Sequence, residues 1–541
     1  MKKISVVLLM IISTAVLALS GCSGEKATNG TKEGNGANGT TEKTTSGNFN
    51  ETGYPIVNEA ISLKIMGPKH AVQAPWKDMV FFQEMSKMTN MNFEFDTPTG
   101  EAYAERKNLA FASDQLPDIF FGYALNTAEE VKYGSEGKLI PLEGLIEKYA
   151  PNIQAMFEAM PEVKKSITAP DGHIYSLPSI NRAPVAIYNP VWVNGDWLNK
   201  LGIKELPTTT EGFYELLKKF KEGSPGGADS VPFMSWLGGA DLAWFLMPAF
   251  GHLSTGTEVV DGKVQYGALS DGYKAYLKFV NRLWTEKLIN QDMYNIGFTE
   301  LSARGKDNKF GMGYMCCANV LYNVVKPEDI LKHKVLPPLT SELNATPMYP
   351  GGTGITTGVF AITSKNKYPE ASIRWVDYLY SPDGSIFVQY GPEGTTWEYA
   401  DKEKKIRKTI PVPEGEDVSQ RQGKLTPDAG YPAPKWTRDD TEKDWQDVIN
   451  QHRYAEIDGK LTKAAQAPYP LVYNTDEEQE RLSALGTDIG KYQSEMEAKF
   501  ITGQLPIDEN WDKFVSTMKK MGADEIVDIA TQAYDRWAAS K

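Results

Sequence analysis

Five histidines and three cysteines are the whole supply of imidazole and thiol in 541 residues. His70, His173, His252, His333 and His452 stand isolated, and none has a partner at a metal-ligand spacing, so there is no zinc motif. A G-x-S-x-G elbow, a Walker loop and a Rossmann glycine fingerprint after a strand are also missing. Basic residues are in deficit, 57 Lys and Arg against 70 Asp and Glu, and the net charge of −13 repels a phosphate backbone, which argues against nucleic acid as a partner. Apolar residues at 41%, aromatic at 11% and charged at 23% exclude wholesale disorder, collagen and a multi-span membrane protein. At this length the chain is expected to form two lobes or more.

The N-terminal apolar run, residues 4–19 behind Lys2 and Lys3, spans only about 24 Å as a helix, short of the roughly 30 Å hydrocarbon core. It reads as an export signal over residues 1–21. Leu19-Ser20-Gly21-Cys22 resembles the bacterial lipobox, which implies cleavage after Gly21 and lipidation of Cys22, leaving the protein anchored on the extracellular face of the cell membrane. Removing that segment takes away two lysines and no acid, leaving 55 basic against 70 acidic residues, a charge of −15. Of residues 23–53, 21 of 31 are Gly, Thr, Asn or Ser, and Phe49 is the only large apolar side chain. Residues 22–53 therefore read as a lipidated cysteine and a flexible tether with a reach of about 30 Å. Neighbouring residues on a strand point to opposite faces, so Cys316 and Cys317 are expected to be buried free thiols.

Beyond the tether, residues 61–66 alternate as a strand, and Trp76, Met79, Phe82, Met85 and Met88 recur at helical spacing. A strand over 92–96, a helix over 101–112 and a buried strand over 118–121 follow. This alternation predicts an α/β lobe with parallel pairing, whose ligands sit beyond the carboxyl ends of the strands. The loops at Pro68-Lys69-His70 and Gly122-Tyr123 are thus candidate binding edges. A second lobe starts near residue 184. Phe213, Leu216, Leu217 and Phe220 mark one of its helices, Tyr273 to Trp284 another, and amphipathic helices are expected near 441–456, 475–500 and 524–538.

Several segments in order carry a resemblance. They are Leu116-Pro117-Asp118-Ile119, Gly137-Lys138-Leu139-Ile140-Pro141-Leu142, Asp171 to Pro178, Asn194 to Ile203, Trp375 to Gly384, and Tyr390 to Trp397. Across nearly the whole length the chain resembles the extracellular solute-binding lipoproteins of Gram-positive carbohydrate ABC importers, family 1-like, with maltose-binding-protein-like architecture. The resemblance implies a two-lobed, type II periplasmic-binding-protein-like α/β fold, each lobe a mostly parallel sheet flanked by helices, with a helix-rich C-terminal extension. Lobe 1 would comprise 54–183 plus about 336–395, and lobe 2 about 184–335 plus 396–541, with crossings near Pro178 to Tyr188 and Val335 to Thr353. The implied protein is a monomeric, lipid-anchored receptor that hands a carbohydrate to permease subunits, without cofactor or chemistry of its own. Family members often carry an acidic calcium loop after the helix equivalent to Thr210–Lys221. Here residues 222–230 hold only Glu222 and Asp229 as carboxylates, so a tight calcium site is not expected.

A sugar site needs flat apolar surface for pyranose C–H faces and planar hydrogen-bonding groups for hydroxyls. Trp236 and Trp244 lie in a glycine-containing loop that the resemblance places on lobe 2 facing the cleft, and Trp397 follows a glycine turn near the lobe boundary. These three, with Trp76, Arg182, Asn181, Asp118 and His70, are the candidate ligand contacts, and Trp236 and Trp397 are expected to face each other across the cleft. Trp197, Trp284 and Trp375 fall on apolar helical faces and read as core. Two alternatives stay open: a cell-surface polysaccharide-active enzyme, glycosidase or lyase, because a carboxylate pair has no sequence signature among 70 acids, and a peptide receptor.

Overall fold

A computed structural model describes residues 47–413, 416, 418–438 and 445–540. The export segment and Cys22 lie outside the described residues. The first lobe is built on a six-stranded sheet in the order 435–437, 177–181, 355–362, 119–121, 61–66, 91–96. Ile61, Leu63 and Ile65 alternate inward as the pattern demands, while Ile119, Phe120 and Phe121 are all buried because both faces of the sheet are covered. Ile355–Ile362 is the one antiparallel strand of this sheet. Trp375, fully buried, stacks on Phe121 with ring centroids 5.6 Å apart. On the same helix, Asp377 accepts hydrogen bonds from the backbone N–H groups of Asn152 and Ile153, both at 2.9 Å, at the start of the helix Pro151–Ala159. Carboxylate charge is favourable at that end of a helix.

The second lobe holds a four-stranded sheet in the order 334–335, 191–193, 310–314, 231–234. Only the pairing of 231–234 with 310–314 is parallel. The mostly parallel expectation thus holds for lobe 1 and is corrected for lobe 2, where the chain enters and leaves through strands that run against their neighbours. Phe213, Leu217, Phe220, Phe233, Tyr273 and Tyr276 form its core together with Ile489, Phe500, Phe514 and Met518 from the helices Asp476–Ile501 and Ile507–Lys520. The C-terminal helices are therefore part of this lobe's core. Trp197 and Trp375 are buried, whereas Trp284 is only half-buried beside Tyr294.

Two further boundaries change. Lys435–Thr437 pairs in parallel with Leu177–Asn181 in the first sheet, so the segment after residue 396 does not all belong to lobe 2. The buried Lys435 ammonium is paired with Asp428 at 2.6 Å, and Ser385 Oγ donates to Trp436 O at 2.7 Å, which fixes this edge strand. Phe49 and Asn50, expected within the tether, are instead packed on lobe 1, Phe49 edge-on against Tyr149 at 5.3 Å and Asn50 O accepting from Arg374, while residues 22–46 lie outside the described residues. Cys316 and Cys317 are free but half-buried rather than buried. The helix expected over 441–456 runs over Val448–Leu461, and residues 441–444 lie outside the described residues.

Candidate functional site

The carboxyl ends of Ile61–Met66 and Ile119–Phe121 lie side by side, and glycine makes this possible. A Cβ on Gly67 would sit 2.1 Å from Phe121 O and 2.7 Å from the Trp76 ring. Trp76, 1% exposed and stacked on Phe82, is thus the floor under these two loops and not a surface for ligand. Above it, Gly122 and Tyr123 both take positive φ, +79° and +60°. For a tyrosine this conformation costs about 1 kcal/mol or more, and it holds the ring 51% exposed. The Tyr123 ring lies parallel to Tyr431 at 6.3 Å, and Tyr431 meets His70 edge-on at 5.2 Å.

Buried Gln73 holds this cluster together. Its Nε2 donates to Pro427 O and Ala429 O at 2.6 and 2.9 Å, and its Oε1 accepts from His70 N and Trp76 Nε1, each at 3.0 Å. Gly430 completes the fit, since a Cβ there would lie 2.4 Å from His70 Cγ. Beside the rings a cavity of about 310 Å³ is lined by Pro68, Tyr103, Lys107, Tyr123, Glu129 and Tyr431. The Lys107 ammonium in it is paired with Glu129 at 2.6 Å.

On the second lobe the strand Val231–Met234 runs into Ser235 and Trp236. Asp241, fully buried, accepts from Ser235 Oγ at 2.6 Å and from Trp236 N at 3.1 Å, pinning the loop, and burial raises its pKa. Gly238 and Gly239, at φ +63° and +93°, then turn the chain into the helix Ala240–Leu246, which carries Trp244. Trp236 Nε1 donates to Tyr314 O at 3.2 Å, and the Trp244 ring, 43% exposed, lies 5.3 Å from the Tyr314 ring. Trp244 and Tyr314 line a cavity of about 340 Å³ with Ile187, Asn189, Gly352 and Pro468. A second cavity of about 420 Å³ shares Ile187 and Gly352 and continues to Ser179, Asn181, Pro432 and Lys435. Ile187 and Gly352 lie on the two lobe crossings, so the open space runs from lobe 2 across them toward Tyr431.

Of the expected contacts, Trp244 and Asn181 line these cavities, His70 belongs to the lobe 1 ring cluster, and Trp236 is partly buried at the rim beside Phe298 at 5.9 Å. The others are placed elsewhere. Trp397 is 5% exposed, bonds Gly391 O at 3.0 Å and packs with Ile386 and Trp445, so it does not face Trp236. Asp118 accepts from Lys64 N at 2.7 Å and precedes its strand, at the end away from Tyr123. Arg182 is paired with Glu162. Tyr431 and Tyr314 were not singled out by sequence, although Gly430-Tyr431-Pro432 has the small and rigid flanks of a presented ring. Near residues 222–230, Lys309 bonds Asp229 at 2.7 Å and Lys200 donates to Pro225 O at 3.0 Å. Among the described residues no group of three or more His, Cys, Asp or Glu could hold a metal ion.

Two α/β lobes joined by several crossings, with exposed rings at the facing ends of their strands, define a solute-binding protein. Residues 69–386 match the bacterial extracellular solute-binding protein family, and the chain belongs to it. It is 29% identical over 490 residues to the fructooligosaccharide ABC transporter substrate-binding protein FusA of Streptococcus pneumoniae, covering 86% of this chain and 88% of that one. The structure of FusA in complex with kestose aligns with a TM-score of 0.72 at 27% identity, over 89% of this chain and all of the other. An HMO-binding, ABC-transporter-associated solute-binding protein from Bifidobacterium longum infantis shares the fold, with a TM-score of 0.75 at 20% identity over 89% of this chain and 100% of that one. Lipoprotein LipO of Bacillus subtilis is 24% identical over 250 residues, 45% of this chain and 47% of that one. The protein is a solute-binding protein rather than an enzyme. No helix among the described residues is long and apolar enough to cross a membrane.

Proposed function

We propose that this protein is a lipid-anchored extracellular receptor that captures a neutral oligosaccharide between its lobes and delivers it to an ABC permease as a monomer. The observation that carries the reading is the pair of exposed rings, Tyr123 on lobe 1, held outward in the positive-φ turn with Gly122, and Trp244 on lobe 2, carried by the helix that follows Gly238-Gly239. Pyranose or furanose C–H faces stack on such rings. The ligand drives closure only by contacting both lobes better in the closed state.

Charge favours a neutral ligand. Lys107, Arg182 and Lys435 each already face a carboxylate, from Glu129, Glu162 and Asp428, which leaves these cations compensated rather than poised for a uronate. Because a relative at 29% identity is named for fructooligosaccharides, these head the ligand panel. A ligand at 100 times its dissociation constant adds about 2.7 kcal/mol of stability, which thermal shift detects. The reading stands if a neutral oligosaccharide raises the melting temperature and is recovered intact. It falls if only uronates or peptides do so, or if the sugar is cleaved. Lipid anchoring through Cys22 is tested separately. Cys22→Ser is expected to release the protein into the medium or leave uncleaved precursor, and unchanged membrane retention without lipid label overturns it.

A further inference from the structure

Cys316 and Cys317 sit between the strand Phe310–Tyr314 and the helical turn Ala318–Leu321. On a regular strand their side chains would point apart. A bend at Cys316 instead brings the two Sγ atoms to 2.8 Å, closer than unbonded sulfurs normally approach, and both residues are half-buried and free. The two sulfurs share a hydrogen bond, which lowers the pKa of Cys316, and the Arg453 guanidinium acts in the same direction.

Arg453 comes from the helix Val448–Leu461 and donates from Nη2 to Val185 O at 2.6 Å, on the first crossing between the lobes. Its Nε is buried without an acceptor. A buried N–H lacking an acceptor is costly, and a thiolate within electrostatic reach offsets part of that cost.

We infer that Cys316 and Cys317 form a redox-active dithiol beside the lobe crossing, which closes to a vicinal disulfide by exchange with a small-molecule disulfide. Cys316 thiolate attacks one sulfur of the incoming disulfide, breaking its S–S bond and expelling one small thiolate. The resulting mixed disulfide is attacked by Cys317 as it gives up its proton. The new S–S bond forms between the two side chains, and the second small thiol leaves. Two protein thiols are oxidised, and one small disulfide is reduced to two thiols. Adjacent Cα atoms across a trans peptide are about 3.8 Å apart, below the roughly 4.4 to 6.8 Å usual for disulfides. The ring is therefore strained and readily reduced, which makes the pair a reversible site rather than a structural staple.

The test uses the full chain carrying Cys22→Ser, so that the pair supplies its only thiols. The protein is equilibrated over a range of reduced-to-oxidised glutathione ratios, quenched with acid, alkylated and weighed intact. Two alkylations are expected at the reducing end. At the oxidising end we expect none, with a mass lower by two hydrogens, no retained glutathione and full reversal by dithiothreitol. Adding Cys317→Ser is expected to stop the reaction with one glutathione on Cys316, and far-UV circular dichroism checks that this variant is folded. Two alkylatable thiols at every ratio, or glutathione retained on the unsubstituted pair without closure, overturns the inference, and this titration decides even if the serine variant does not fold.

Discussion

Tyr473 donates its phenolic hydrogen to the Glu130 carboxylate at 2.6 Å, joining the segment that leads into the C-terminal helices to the first lobe. Ser176 bonds the same carboxylate oxygen at 2.5 Å, while the other oxygen is buried without a partner. Burial outweighs these bonds and pushes the Glu130 pKa up from 4.5 to about 7.

A folded-state pKa above the unfolded one means that the folded protein binds the extra proton. Stability from this group is therefore full below about pH 4.5 and is lost as pH rises through 7, by about 3 kcal/mol in all. Glu130→Gln keeps the shape and removes the titration. Its melting temperature is expected to vary less than that of the unsubstituted protein between pH 5 and 8, measured by differential scanning calorimetry, with the gap widening toward pH 8. Parallel curves would rule out this role.

Trp244 and Trp397 offer a contrast within one residue type. Trp244→Ala is expected to weaken sugar binding by about 2 to 4 kcal/mol, roughly thirty-fold to a thousand-fold, with a smaller change in melting temperature than a core tryptophan would give, since it is 43% exposed. Trp397→Ala should instead cost about 3 to 5 kcal/mol of stability and leave the affinity of the folded protein intact. Calorimetric titration alongside thermal melts separates the two, and the reverse pattern would move the site to a cavity of about 400 Å³ lined by Trp397, Tyr399 and Phe387.

Tyr123 is held in a left-handed conformation for which glycine is better suited. Tyr123→Gly is expected to lose more than ten-fold in affinity while its melting temperature stays within about 2 °C, because relief of strain offsets the lost stacking on Tyr431. A large fall in melting temperature with unchanged affinity would mark the ring as structural.

Gly430→Ala places a methyl group against His70 at a φ of +89°. We expect a loss of about 1 to 3 kcal/mol in stability together with weaker sugar binding, since His70 and Tyr431 must separate. Gly144→Ala, in the helix Glu143–Tyr149 where a Cβ meets nothing within 4 Å, serves as the control: affinity should not change, and stability should stay the same or rise by up to about 1 kcal/mol.

Local pattern was enough to locate the strands 61–66 and 118–121 and the helices around Phe213 and Tyr273, because burial on one face imposes a period that survives in the order of residues. It also pointed to the loops at His70 and Tyr123, since parallel strands open toward their carboxyl ends. It did not separate Trp397 from Trp244. Both follow glycine turns, and only the packing of Trp397 against Ile386 and Trp445, the latter far along the chain, buries one of them.

By itself the sequence determined the alternation of strand and helix, the acidic balance and the supply of rings, all properties of neighbours along the chain. The tertiary structure alone decided which rings face solvent. Trp76 is covered because Gly67 and Gly122 leave room for the loops to close over it. Tyr123 meets Tyr431 only because Lys435–Thr437 returns to the first sheet and Gln73 clasps the segment leading into it. Those contacts are set by strand pairing and buried hydrogen bonds between distant parts of the chain, and no local periodicity encodes them.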